Sequence, residues 1–134
     1  YVEGLMTKFF DKLKLSDLDY KTRMQVIGTS GTATTIAALH LGLERYDRTK
    51  VDGLFLGRHD IHAQINRLLA LSSEERSAIR SIGIGRGDVV IAGGAILDAI
   101  LRFCPIDRIS VADRGLREGI LLELMKSDMD QNEK

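Results

Sequence analysis

Three short stretches of this sequence carry residue types that could hold a phosphate or another anion. The first is Gly28-Thr29-Ser30-Gly31-Thr32, which stands between an apolar run, Met24 to Ile27, and a segment of helix formers, Ala33 to Leu41. A turn from strand into helix aims backbone N–H groups and the positive end of the helix dipole at one point. Glycines let the backbone come close to an anion there, and the hydroxyls of Thr29, Ser30 and Thr32 add donors. The wording rules out better-known loops. A Walker A loop needs Lys-Ser or Lys-Thr after its last glycine, and the dinucleotide fingerprint needs a third glycine in register. A nucleophile elbow is excluded as well, because the second glycine falls one residue early and Ser30 has no His and acid partners in order. Taken alone, the motif is equally consistent with a tight turn that binds nothing.

The second stretch is Gly83-Ile84-Gly85-Arg86-Gly87-Asp88, where Arg86 stands just ahead of an expected helix and could grip a phosphate through two parallel N–H groups. Read locally, Arg86 is a solvated loop charge and Asp88 a helix cap. The third is Asp113-Arg114-Gly115-Leu116-Arg117-Glu118-Gly119, at the end of a strand, where open α/β sheets often bind ligands. There Asp113 as a cap and Arg117 with Glu118 as surface charges are the plain alternative. His59, Asp60 and His62 resemble the start of a metal site without the further ligands one needs, so they are read as surface residues. His40, beside the helix end at Gly42, would complement the dipole of a helix C-terminus. No residue is assigned as catalytic or metal-binding.

The elements that must position these residues follow from periodicity and punctuation. Val2, Leu5, Met6, Phe9, Phe10 and Leu13 recur at helical spacing, so a surface helix is expected over residues 1 to about 14, followed by a polar connection from Ser16 to Arg23. Met24 to Ile27 reads as a buried strand, and a helix over Ala33 to Leu41 follows, with Ser30 or Thr32 to cap it and Gly42 to end it. A surface loop spans Glu44 to Gly53, and Leu54-Phe55-Leu56 reads as either a brief strand or a packing segment. Ile61, Ile65, Leu68 and Leu69 mark a second amphipathic helix, and Ser72 with Glu75 signals a capping box for a third, together an added helical hairpin. Val89 to Phe103 is apolar almost all round and is expected as a buried helix whose Ala92-Gly93-Gly94-Ala95 lets another backbone approach closely. Arg108 to Ala112 is a buried strand, Asp113 caps a last helix from about Leu116 to Met125, and residues 127–134 form a polar tail.

Length and composition bound the partners. The 134 residues suit one compact core, and no apolar run approaches the length of a bilayer crossing. Nineteen basic residues balance nineteen acidic ones, so no diffuse positive field is available for nucleic acid or membrane, and a polyanion would have to be held by local geometry. The single cysteine, Cys104, lies in an apolar stretch, reads as a small buried hydrophobe and fits a reducing, cytoplasmic setting. A chain that opens within an amphipathic helix, without a start methionine, is expected to be a piece of something longer.

Three stretches together, Val26 to Thr35, Arg86 to Leu97 and Val111 to Gly119, resemble in wording and order the motifs of the second domain of the exopolyphosphatase and guanosine pentaphosphate phosphohydrolase (Ppx/GppA) family. The likeness runs from about Met24 to Met125, and Arg-Gly-Leu-Arg-Glu-Gly at 114–119 is its most specific part. It implies a mixed α/β fold, the second domain of an actin-like ATPase (ribonuclease H-like) unit with an added helical hairpin. Residues 1–126 would be the C-terminal part of that domain. It also implies hydrolysis of terminal phosphates of inorganic polyphosphate or guanosine penta- and tetraphosphate. A divalent metal, expected to be Mg2+, would act in the full-length enzyme, with a glutamate of the missing N-terminal domain preparing water for in-line attack. By resemblance, Gly28 to Thr32 match the motif lining the cleft, and Arg86 matches a basic position near the substrate. The second domain's phosphate loop would precede Tyr1, so the chain alone is expected to be inactive; a homodimer is a candidate assembly. The alternative is a non-catalytic binding or assembly module with the same fold.

Overall fold

The computed structural model describes residues 1–12, 25–83, 85–104 and 106–132. The expected connection from Ser16 to Arg23 lies outside the described residues, as do Leu13 and Met24. Seven helices and three strands are described, in the order α1 (Val2–Lys12), β1 (Ile27–Thr29), α2 (Ser30–His40), α3 (Arg48–Val51), β2 (Phe55–Gly57), α4 (Arg58–Leu69), α5 (Ser73–Ala78), α6 (Gly87–Phe103), β3 (Arg108–Ala112) and α7 (Leu116–Asn132).

The sheet has the order β1-β3-β2. The central strand β3 runs parallel to β1, with Gly28 opposite Val111, and antiparallel to β2, with Leu56 opposite Ile109. Alternation decides which face is covered: Ile109, Val111 and Leu56 point into the core, where β3 meets α2. Gly28 points the same way and is packed so closely that a Cβ there would stand 2.9 Å from the Ala33 Cβ and 3.0 Å from the Ile109 Cδ1. No larger residue fits between strand and helix at that point.

Helix α2 is the central element, with Ala33, Ile36, Ala37, Ala38 and Leu39 all buried. Its apolar surface on more than one side is what an interior helix requires. The helix ends as expected: Gly42 has φ 63, its N–H donates to the Leu39 carbonyl, and the Leu43 N–H donates to Ala38. These two bonds form a Schellman motif, and the positive φ explains the glycine. The start differs from the expectation, since the cap position falls on Thr29 and uses no side-chain bond.

Helices α4 and α6 pack on α2. Gly94 of α6 lets Ile65 of α4 approach, a Cβ at 94 lying 3.2 Å from Ile65, while Gly93 receives Thr32 of α2. The approach at Gly93 and Gly94 is therefore made by side chains of two neighbouring helices, not by another backbone as expected, because Thr32 and Ile65 fill the space the missing side chains leave. Burial of α6 is less complete than its composition implies: Val90, Ala99 and Leu101 are buried, but Val89 and Ile96 are exposed, because only one side of the helix meets α2 and α4. The half-buried Arg58 closes the far end of α6 by donating to the carbonyls of Leu101 and Cys104. Helix α1 lies on α6 through Phe10, whose ring stacks on Phe103 at 6.0 Å.

Strand β1 is shorter than the apolar run predicts, and Ile27 is exposed rather than buried. Among the described residues β1 pairs on one edge only, and the sheet face carrying Ile27 and Thr29 opens onto a groove beside α7. Helix α7 runs through Ser127 to Asn132, beyond the predicted end at Met125.

Candidate anion site

The N-terminus of α2 and the turn before α6 meet in one cavity of about 370 Å³, lined by Gly31, Thr32, Thr35, Ile82, Arg86, Val89 and Val90. Two stretches more than fifty residues apart in sequence are thus brought together. Each is positioned by its own local chemistry. Gly31 and Thr32 occupy the first turn of α2, where N–H groups point out of the helix end and the dipole is positive. Gly31 carries open space where a Cβ would stand, so backbone is the surface presented there. Arg86 is held by a tight turn in which its N–H donates to the Gly83 carbonyl at 3.3 Å, with Gly83 at φ 85 and Gly85 at φ 73. Only glycine adopts these angles without strain. The carbonyl of Arg86 then accepts the Val90 N–H, which starts α6. The Arg86 side chain is exposed at the cavity.

Not all of the first motif lines this cavity. Gly28 is packed under α2, and Thr29 lines a second, more apolar groove of about 530 Å³ with Ile27, Leu121, Leu122 and Met125. Of Ser30 only the backbone is described, as the first residue of α2.

The third motif builds a polar network instead of a pocket. Glu118 accepts from the Gly115 N–H at 2.9 Å and from Arg48 at 3.3 Å. These bonds hold its carboxyl down to about 2, the Gly115 N–H being the larger cause. Asp52 accepts from the Asp113 N–H at 2.9 Å and from Arg114 at 3.0 Å, and lies below its ordinary value chiefly through the backbone bond. Arg48 also donates to the Asp113 carbonyl. Asp113 therefore does not cap α7; its carboxylate faces Arg48 at 3.4 Å, and Glu118 reaches back to the helix start instead. Tyr46 joins from the other side, its hydroxyl pushed up to about 12 by burial and then by its bond to Asp113. Arg48, Asp52 and Tyr46 came from a segment without periodicity, and nothing in its sequence marks them out beyond the Asp52-Gly53 turn.

The histidines face two different carboxylates. His62 faces Asp98 at 2.9 Å, and His40 and His59 each stand 4.0 Å from Asp60. Among the described residues no group of three or more His, Cys, Asp or Glu side chains could hold a metal ion. The cavity lining likewise contains no carboxylate. The described residues do not by themselves fit the divalent metal that the motifs imply. Burial pushes the Cys104 thiol above its usual range, in keeping with a packed apolar role.

A sheet packed against helices, with a helix N-terminus and an arginine lining one cavity, defines a mixed α/β unit. The chain belongs to the Ppx/GppA phosphatase family, whose profile matches residues 5–128. It is similar to exopolyphosphatase 2 of Mycobacterium tuberculosis, 26% identical over 102 residues that make up 73% of this chain and 32% of the relative. A bifunctional 3-dehydroquinate synthase/phosphatase of Fusobacterium nucleatum is 29% identical over 103 residues, 77% of this chain and 15% of that protein. Among solved structures, the Aquifex aeolicus family member superimposes with a TM-score of 0.77 at 30% identity, covering 95% of this chain and 40% of that one. The chain thus spans about a third of the length of the curated exopolyphosphatase it matches.

Proposed function

We propose that this chain is the C-terminal part of the second domain of a phosphohydrolase that removes terminal phosphate from inorganic polyphosphate or guanosine pentaphosphate, and that it forms one wall of the phosphate cleft. The observation that carries this reading is the shared cavity: Arg86 stands across from the N-terminal turn of α2, at Gly31 and Thr32. A guanidinium and a helix N-terminus are both donors suited to phosphate oxygens. Their contribution to phosphoryl transfer is positioning and charge neutralisation. A metal would add Lewis-acid assistance from ligands outside the described residues. Helices α4 and α5 are read as an insertion on one side of this wall.

The uncovered side of the sheet supports the partial-domain reading. Parallel strands are ordinarily covered on both faces. Among the described residues β1 has an open edge, and α7 exposes Leu116, Ile120, Leu121, Leu122, Leu124, Met125 and Met129. Apolar surface of that extent marks an interface, and the longer relatives have chain to fill it. On this reading the 134-residue chain alone releases no phosphate from polyphosphate.

The test is steady-state kinetics of Arg86→Ala in the complete enzyme. A charge-assisted bond to substrate is worth about 1.5–3 kcal/mol, so KM should rise about ten- to hundredfold with kcat less affected. Arg86→Lys should recover only part of it, since an ammonium lacks the planar fork. Unchanged KM on both polyphosphate and guanosine pentaphosphate would remove Arg86 from the site. A second reading, a binding module without catalysis, is favoured by the lack of any carboxylate in the cavity lining; phosphate release by the complete protein would exclude it.

A further inference from the structure

Arg76 lies on α5, away from the cavity lining, yet its side chain is only 14% exposed and ties together three elements. One terminal nitrogen donates to the carbonyls of Leu68, at 3.2 Å, and Leu71, at 2.6 Å, and so closes the C-terminal end of α4. The other donates to the Asp88 carboxylate at 3.1 Å, in the first turn of α6. Asp88 accepts a further bond from the Ser73 hydroxyl at 3.2 Å. At Gly87 the backbone of α6 comes so near α5 that a Cβ would stand 3.1 Å from the Arg76 Cβ and 3.3 Å from the Ser73 carbonyl oxygen. Arg86 is the residue immediately before this junction. Among the described residues its turn is held by two further backbone bonds, Arg86 N–H to Gly83 and Gly83 N–H to Ile79.

We infer that Arg76 is a positioning residue for the anion site: by clamping Asp88 to the end of α4 it fixes the glycine turn and holds Arg86 at the mouth of the cavity. The inference rests on Arg86 being the phosphate contact. Physically, two positive-φ glycines leave a turn with little stiffness of its own, so the orientation of Arg86 must be imposed from outside. A guanidinium can do this because its fixed fork serves carbonyls on one side and a carboxylate on the other.

The experiment is a double-mutant cycle in the complete enzyme with tripolyphosphate as substrate, using Arg76→Ala, Arg86→Ala and both together, with amide hydrogen exchange at Gly85 to Gly87 followed in parallel. Arg76→Ala is expected to raise KM about fivefold or more with kcat within about threefold, and to add less than about twofold when Arg86 is already alanine. Exchange at the turn should speed at least tenfold. Arg76→Lys should restore part of the protection. If Arg76→Ala does not fold, Asp88→Asn, which keeps the shape but removes the charge, is expected to give the same non-additive pattern at smaller size. Additive effects of the two alanines would overturn the inference while leaving Arg86 in its role. An unchanged KM for Arg86→Ala would instead overturn the substrate-contact reading, and exchange at the turn unaltered by Arg76→Ala overturns the clamp whatever the kinetics show.

Discussion

At the scale of single residues, glycines of this chain make opposite demands. Gly93 on α6 faces the Thr32 side chain so closely that a Cβ would stand 2.1 Å from its Oγ1 and 3.1 Å from its Cβ. Gly93→Ala should therefore push α2 and α6 apart, at a cost of about 1–3 kcal/mol; the midpoint of urea unfolding measures it. Gly31 has nothing within 4 Å of its Cβ position and sits within α2. Gly31→Ala should leave the unfolding midpoint unchanged or slightly raised. In the complete enzyme Gly31→Val should weaken substrate binding, because its larger side chain would stand at the cavity where backbone is now presented. The reason is obstruction at the cavity rather than strained dihedrals, since Gly31 has an ordinary helical backbone. Normal kinetics in a folded Gly31→Val protein would return this turn to a purely structural role. The glycine pattern was visible in the sequence, but which glycine spares room for a neighbour and which for a ligand depends on contacts from distant segments.

Among elements, the link between β3 and α7 rests on charges contributed by the segment before β2. Glu118 and Asp52 both hold protons less readily in the folded chain than carboxylates ordinarily do, Glu118 at about 2 against its usual 4.5. A depressed folded value means the stabilisation is present above about pH 4.5 and is lost as pH falls from there towards 2. Unfolding midpoints measured across that range should drop on the acid side, and Glu118→Gln should flatten the drop. An acid limb identical to that of the unaltered protein would show that the Gly115 and Arg48 bonds to Glu118 do not contribute. Both side chains of this network are partly solvated, so added salt should weaken the Arg48 pairing. The capping box at Ser72 was legible from two residues three apart, and the structure contains both of its bonds. Arg48 was not legible, because its partners lie 65 and 70 residues further along the chain.

For the molecule as a whole, α7 is the element least explained by what surrounds it. Leu121 and Leu122 are each 59% exposed and line the groove beside Ile27. If the remainder of a family-length chain covers this groove, Leu122→Asn should change the stability of the 134-residue chain by less than about 0.5 kcal/mol. In the complete protein the same substitution should cost about 2 kcal/mol or more, as burial of a leucine would be lost. Equal and small effects in both would mean that α7 stays uncovered and that the open face of the sheet has another role.

Local patterns determined a good deal. Helical spacing, the Gly42 stop, the brief strand at Phe55 and Leu56 and the strand at Arg108 to Ala112 follow from side-chain size and from backbone geometry over a few residues, which a sequence displays directly. Family membership followed from three motifs in order. Tertiary structure alone decided that Gly31, Thr32 and Arg86 share a cavity while Thr29 faces another groove, that α6 is covered on one side, and that Asp113 pairs with Arg48 instead of capping α7. Each of these depends on which residues from distant parts of the chain become neighbours. Periodicity identifies an apolar face, but the face is buried only where another element arrives to cover it.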